Sequence, residues 1–212
     1  PRVADAFEKL TDEPNESGTG GMGLRLEFLK PVNLVKMLLG QTADLIIWEI
    51  PRFELDFSYE QTYPVWALPP ISITIGADFG FFAELTVGLD TRGLAEPGAT
   101  FLDGFFFGDL RNGRDIAELG ISIGARLRAA LDVVVASVGI EGELRAEVLA
   151  NWNDQDGNGK LYVDELAEII DRDGIECIVN LTGELRALIR VVWEVLFASG
   201  TIEIADIRLF SF

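Results

Sequence analysis

The chain has 212 residues, of which 49% are hydrophobic, so it is long and apolar enough to bury a substantial core without disulfides. Its formal net charge of −18 opposes binding to nucleic acid and to anionic membrane surfaces, because like charges repel and no lysine or arginine cluster offsets the repulsion. Charged or polar residues interrupt every apolar run, so no membrane-spanning helix is predicted.

The first 23 residues are predicted to form a short helix and a linker ahead of the main domain. Val3, Phe7 and Leu10 recur at helical spacing, whereas residues 11–23 are rich in Gly, Ser, Asn and Pro. Residues 24–212 are predicted to form one β-rich domain. The chain begins at a proline and not at a methionine, which favours a fragment or a processed product.

Apolar residues alternate with polar residues over most of the remaining sequence, which is the period of a β-strand. The alternating runs are Phe53 to Tyr59, Ile71 to Leu89, Leu119 to Val135, Val138 to Trp152 and Cys177 to Phe197. Several runs approach about 20 residues, against a usual strand length of about 5–6, so each is one long strand or two strands joined by a bend. We therefore predict a mainly β fold in which long, curved antiparallel strands form a sandwich or a partly closed barrel, with short helices.

The alternation changes phase between Ala136 and Gly139, where a bulge or tight bend is predicted to start a new strand. A sheet with one apolar and one polar face must bury the apolar face against a second sheet, around its own core or against lipid. Contact with lipid is the least favoured of these, because strands that cross an outer membrane need only about 9–11 residues and carry two aromatic girdles.

The segment from Asp154 to Glu165 fits the twelve-position calcium loop of EF-hand proteins. Calcium is a hard cation that takes six to eight oxygen ligands, and a loop that curls around it offers an oxygen at alternate residues. Gly159 stands at the sixth position, where a sharp turn is needed. The predicted ligands are the side chains of Asp154, Asp156 and Asn158, the backbone carbonyl of Lys160, a water at Tyr162, and both carboxylate oxygens of Glu165.

The two flanks of this loop are predicted to differ. Leu166, Ile169 and Ile170 place an apolar stripe on a helix that follows the loop, and Gly174 is a suitable end for it. Before the loop, the period-two pattern continues to Trp152, which predicts a strand where EF-hand proteins have a helix. The loop is also solitary, so a fixed structural ion is a better interpretation than a sensor that opens. The alternative is a polar turn without a metal.

Residues of catalytic type are few in this sequence. There is no histidine, which removes the usual Ser-His-Asp and Cys-His arrangements and the imidazole zinc sites. Cys177 is the single cysteine and is predicted to lie on the apolar face of a strand. Chance pairs among 35 acidic residues carry no weight for glycoside hydrolysis. We therefore predict no catalytic residues and no enzymatic activity.

Beyond the loop, the sequence resembles a domain of very large secreted or surface-attached bacterial proteins, which in turn resemble modular calcium-loaded adhesins. The resemblance is carried by Leu38-Leu39-Gly40-Gln41, Phe53 to Tyr59, Gly76 to Phe81, Leu89 to Leu94 and the calcium loop. It covers most of residues 24–212 and implies an extracellular or cell-surface location, but no established activity.

Together these observations predict a calcium-stabilised structural or adhesive module of a large extracellular protein, with Ca²⁺ as its cofactor. The expected partners are neighbouring domains of the same long chain or cell-surface molecules. The alternative from another class is a binding module whose curved sheet holds a lipid or another hydrophobic ligand. An enzyme ranks third.

Overall fold

β-Strands predominate in the computed structural model, which describes residues 23–95, 100–111 and 113–212. The strands are β1 (Leu24–Arg25), β2 (Asp44–Glu49), β3 (Phe53–Ala67), β4 (Pro70–Ala83), β5 (Thr86–Asp90), β6 (Phe105–Gly108), β7 (Leu110–Arg111), β8 (Arg114–Asp115), β9 (Leu119–Val133), β10 (Ala136–Trp152), β11 (Lys160–Tyr162), β12 (Val179–Val195) and β13 (Ala198–Ser211). The α-helices are α1 (Pro31–Leu38), α2 (Arg92–Ala95) and α3 (Val163–Asp173). The helix predicted near residues 3–10 and its linker lie outside the described residues.

The described residues fall into two compact units, each assembled from three separate stretches of the chain. One unit contains the described residues up to Phe53 together with Ala83–Glu118 and Ala150–Asn180. The other contains Glu54–Phe82, Leu119–Leu149 and Leu181–Phe212. The calcium-type loop belongs to the first unit.

The second unit is built on a six-stranded sheet in the order β13-β12-β10-β9-β4-β3. Its strands are 14 to 17 residues long, and two-residue turns connect β3 to β4, β9 to β10 and β12 to β13. The prediction of a mainly β fold with long antiparallel strands and short helices is confirmed. The bend predicted between Ala136 and Gly139 lies slightly earlier, at Val134 and Val135, which form the turn between β9 and β10. Within the described residues the sheet is open, with β3 and β13 as its edges.

The two faces of this sheet differ as the alternation predicts, but the apolar face is the more exposed one. Along β9, Ile123 and Leu127 are 55% and 57% exposed. Arg126 and Arg128, which flank Leu127 and share the opposite face, are half-buried. The polar side chains pack closely because glycines face them: a Cβ on Gly124 would lie 2.4 Å from an Asp78 carboxylate oxygen. Nothing among the described residues buries the apolar face fully.

Charged side chains cross between neighbouring strands on the polar face. Arg190 of β12 forms ion pairs with Glu141 and Glu143 of β10, and Arg186 of β12 pairs with Asp206 of β13. Cross-strand pairs of this kind help to fix the register of a sheet.

The first unit is built on a five-stranded antiparallel sheet in the order β1-β2-β5-β6-β11. Its buried apolar side chains include Ala43, Phe106, Leu161 and Tyr162, so the core reaches the calcium-type loop itself. None of the described helices is both long and apolar enough to cross a membrane.

Candidate metal centre

The loop from Asp154 to Glu165 is entered from a strand, as the sequence predicts. Strand β10 ends at Trp152, and the next residue, Asn153, is hydrogen-bonded through both its backbone and its side chain. Its backbone N–H donates to the carbonyl of Ile178 at 2.9 Å, and its side-chain Nδ2 donates to the carbonyl of Cys177 at 2.8 Å. The start of the loop is therefore fixed to the segment that follows α3.

The first half of the loop curls around its own carboxylates. Asp154 accepts hydrogen bonds from the backbone N–H groups of Gly157 at 3.0 Å and Gly159 at 2.6 Å. Asp156 accepts from the backbone N–H of Asn158 at 3.1 Å and from its side-chain Nδ2 at 2.6 Å. These bonds tie the side chains of positions one and three to the backbone of the turn, and the side chain of position five to that of position three.

Glycine is required at the sixth position for two reasons. Gly159 has φ of +82°, a backbone conformation that strains other residues. A Cβ there would also lie 2.5 Å from Cδ1 of Leu110. The turn predicted from the sequence is therefore present, and the loop packs directly against the chain that follows β6.

The second half of the loop becomes the edge strand of the five-stranded sheet. Strand β11 pairs antiparallel with β6, with Leu161 opposite Phe107 and Tyr162 opposite Phe106. Leu161, at the eighth position, is 1% exposed. EF-hand loops usually support one another in pairs, and here the sheet edge provides the support for a solitary loop.

The side chains of Lys160 and Tyr162 are engaged with Asp90, whose side chain is fully buried on β5. Asp90 accepts hydrogen bonds from Lys160 Nζ at 2.8 Å, from the Tyr162 hydroxyl at 2.6 Å and from the Arg92 backbone N–H at 2.9 Å. Lys160 also pairs with Asp44 of β2. Burial and the bond to Asp90 raise the pKa of Tyr162. Both loop residues can therefore contribute to a metal only through their backbone or a water, as predicted.

Glu165, the twelfth position, lies in the first turn of α3. Its Oε2 accepts a hydrogen bond from the Tyr162 backbone N–H at 3.1 Å, and its Oε1 lies 3.5 Å from the Arg92 guanidinium. Arg92 also pairs with Asp164 at 2.7 Å and stacks over the Tyr162 ring at 4.3 Å. These contacts set the start of the helix relative to the loop.

The acidic ligand candidates influence one another electrostatically. Burial raises the pKa of Asp154, and the adjacent Asp156 carboxyl adds to the shift. For Asp156, burial acts upwards, but hydrogen bonds with Asp154 and Asn158 outweigh it and lower the pKa. Burial also raises the pKa of Glu165, with Asp156 and Asp164 contributing. The Asp156 carboxylate thus raises the pKa of both other acidic ligand candidates, Asp154 and Glu165.

The structure brings Asp154, Asp156 and Asn158 together and places Glu165 within electrostatic range of Asp156. In the described part of the chain, however, no three Asp, Glu or Cys side chains are gathered closely enough to hold a metal ion as they stand. Glu165 in particular accepts a hydrogen bond from the Tyr162 backbone N–H and pairs with Arg92. The donor set is chemically suited to calcium, and Glu165 would have to turn inwards to complete it.

Sequence reasoning missed a group of buried acidic residues around the loop. Asp90, Asp109 and Glu118 are 1%, 8% and 4% exposed. Asp90 is the last residue of a strand, Asp109 directly follows a strand and Glu118 directly precedes one. At such positions an acidic residue is more often read as part of an exposed turn. An acidic residue at such a junction, with no basic neighbour in sequence, is the signal that was available.

Glu118 is the buried acid with the largest consequence for pH dependence. Its Oε2 accepts a hydrogen bond from the Trp152 backbone N–H at 2.9 Å. Burial raises the pKa of Glu118 to about 8, and Asp109 and Asp115 act in the same direction. The folded protein therefore keeps a proton that the unfolded chain loses near its ordinary pKa, so stability falls as pH rises between these two values.

We expect Glu118→Gln to remove this pH dependence. The variant should match the wild type near pH 5 and become the more stable protein by pH 9, with a divergence of at most about 1.4 kcal/mol per pH unit. Urea unfolding at several pH values measures it, with the exposed Glu168→Gln as control. Parallel pH profiles for Glu118→Gln and the wild type would contradict the prediction.

Comparison of the chain with protein-family models, with curated proteins and with solved structures finds no match.

Proposed function

We propose that this chain is a calcium-binding module whose single ion, held by the loop from Asp154 to Glu165, stabilises the fold. The observation that carries the proposal is the pairing of the Asp154 and Asp156 carboxylates inside a turn made at Gly159. Two neighbouring carboxylates repel each other, and a divalent cation between them removes that repulsion.

Calcium is the metal that suits this donor set. The side chains of Asp154, Asp156, Asn158 and Glu165 all provide oxygen, and the carbonyl of Lys160 provides one more. The described part of the loop contains no cysteine, and the chain has no histidine, so the soft and nitrogen ligands preferred by zinc and copper are missing from it. Magnesium demands a stricter octahedral geometry, which a flexible twelve-residue loop satisfies less well.

A structural role is favoured over a sensor role by the way the loop is anchored. A sensor hand opens by moving its two helices apart. Here a strand enters the loop, β11 is hydrogen-bonded into a sheet, and Leu161 lies in the core. An ion bound at this position would order the segments on both sides of the loop. It would bind the folded state more tightly than the unfolded chain, so it stabilises the native form.

The wider context is part of the same proposal. The acidity of the chain and the sequence resemblance support a structural or adhesive module of a large extracellular or cell-surface bacterial protein, where calcium is abundant. Its partners would be neighbouring domains or surface molecules. The lack of histidine supports a non-enzymatic role.

A thermal melt with and without calcium tests the proposal. With free calcium at 100 times its dissociation constant, linkage contributes about 2.7 kcal/mol. For a chain of this size, that corresponds to a rise in melting temperature of roughly 5–10 °C relative to chelator. Magnesium at the same concentration serves as the control and should give a clearly smaller rise. Superimposable melts in calcium and in chelator would refute the proposal.

A further inference from the structure

Asp109 lies beside the calcium-type loop although it is far from it in sequence. It directly follows β6, and the β6–β11 register pairs Gly108 with Lys160, so Asp109 is opposite Gly159. Its backbone N–H donates to the Gly159 carbonyl at 3.1 Å. The main chain therefore fixes Asp109 opposite the sixth position of the loop, where the turn is sharpest.

The carboxylate of Asp109 is buried and incompletely satisfied. The residue is 8% exposed, and its Oδ1 has no hydrogen-bond partner among the described residues. Buried polar oxygens in proteins are almost always paired, and a buried carboxylate without a partner is costly unless a water or an ion completes its surroundings. Oδ1 of Asp109 is therefore an oxygen that a bound ion could use.

Two other carboxylates act on Asp109 electrostatically. Burial raises the pKa of Asp109 to about 6, and the carboxylates of Asp115 and Asp154 raise it in the same direction. Asp154 is the first ligand position of the loop. Asp115 is already hydrogen-bonded to the Asn151 side chain and is exposed. A cation between Asp109 and Asp154 would neutralise both.

We propose that Asp109 is a ligand of the ion bound by the loop, contributed through Oδ1 from outside the twelve-residue segment. This proposal rests on the calcium site proposed above. A fourth carboxylate, beside Asp154, Asp156 and Glu165, raises the negative charge of the site, and ligand charge is one of the quantities that set calcium affinity. It also ties the ion to the strand that supports the loop.

Calcium titration of the Asp109→Asn variant by calorimetry tests this inference. Asparagine keeps the size of the side chain but removes its charge, so we expect calcium affinity to fall at least about 10-fold, the lower limit seen when partners around a metal are removed. In chelator the variant should be at least as stable as the wild type, because a buried unpaired charge has been removed. If Asp109 had a purely structural role, the variant would not combine weaker calcium binding with unchanged or higher stability in chelator.

The matched control is Asp115→Asn, which removes an exposed neighbouring carboxylate that is already hydrogen-bonded to Asn151, and it should leave the affinity within about 3-fold. If Asp109→Asn is unfolded in chelator, Asp109→Ser repeats the titration with a smaller side chain. Wild-type affinity in either folded variant would overturn the inference about Asp109. A wild-type chain that binds no calcium would instead overturn the proposed function, so the two failures are distinguishable.

Discussion

Replacing Asp90 with asparagine is expected to lower the free energy of unfolding by about 3–5 kcal/mol, the range for removing one partner of a buried ion pair. The Asp90 side chain is fully buried, and Lys160, whose Nζ lies 2.8 Å away, depends on it. The Tyr162 hydroxyl and the Arg92 backbone N–H also donate to it. An amide supplies fewer acceptor sites and no charge, so among the described residues Lys160 would keep only Asp44 as an ionic partner.

Urea unfolding followed by tryptophan fluorescence measures this loss. The exposed ion pair between Glu168 and Arg172 provides the control, because Glu168→Gln should change stability by less than about 1 kcal/mol. The double variant Asp90→Asn/Lys160→Met should recover part of the loss, since removing both charges leaves none unpaired. A change in the free energy of unfolding within about 1 kcal/mol for Asp90→Asn alone would contradict this prediction.

The strands and the loop were predictable because their signals are local. Period-two alternation depends only on neighbouring residues, and it gave the long strands and the turn between β9 and β10. The order of ligand types, the glycine at position 159 and the apolar Leu161 are likewise contained in twelve consecutive residues. The strand before the loop and the helix after it, α3, followed from the same kind of pattern.

The supports of the loop were not predictable, because they come from distant parts of the chain. Lys160 meets Asp90 across 70 residues and Asp44 across 116. Asp109 reaches the loop only through the β6–β11 pairing. Such contacts depend on which strands become neighbours, and the alternation of a strand does not specify its partner.

Cys177 illustrates a local signal that tertiary contacts override. The sequence predicts that it begins the last alternating run on the apolar face of a strand, and this is wrong. It lies in a short 3₁₀ turn, Ile175–Ile178, and β12 starts at Val179. The carbonyl of Cys177 is instead used to hold Asn153 at the start of the loop.

Burial of the six-stranded sheet is a second difference between pattern and structure. Alternation shows which side chains share a face, and this was right. It does not show what covers that face, and residues such as Leu127 and Ile140 are more than half exposed. The alternating charges on the other face are packed and paired instead.

Replacing Glu165 with glutamine is expected to weaken calcium binding by more than about 100-fold. Glu165 stands at the position that supplies two carboxylate oxygens, and even partners that do not touch the metal change affinity by about 10–100-fold. The neighbouring Asp164 is the matched control, since it also pairs with Arg92 but stands at a position that does not bind the ion. Asp164→Asn should therefore stay within a few-fold of the wild type.

Calorimetric titration of calcium into the wild-type chain, with these two variants alongside, tests the calcium site most directly. We expect one ion per wild-type chain, retained binding in Asp164→Asn and almost none in Glu165→Gln. Absence of binding to the wild type at millimolar calcium, or equal binding by the wild type and Glu165→Gln, would contradict the presence of a calcium ion in this loop.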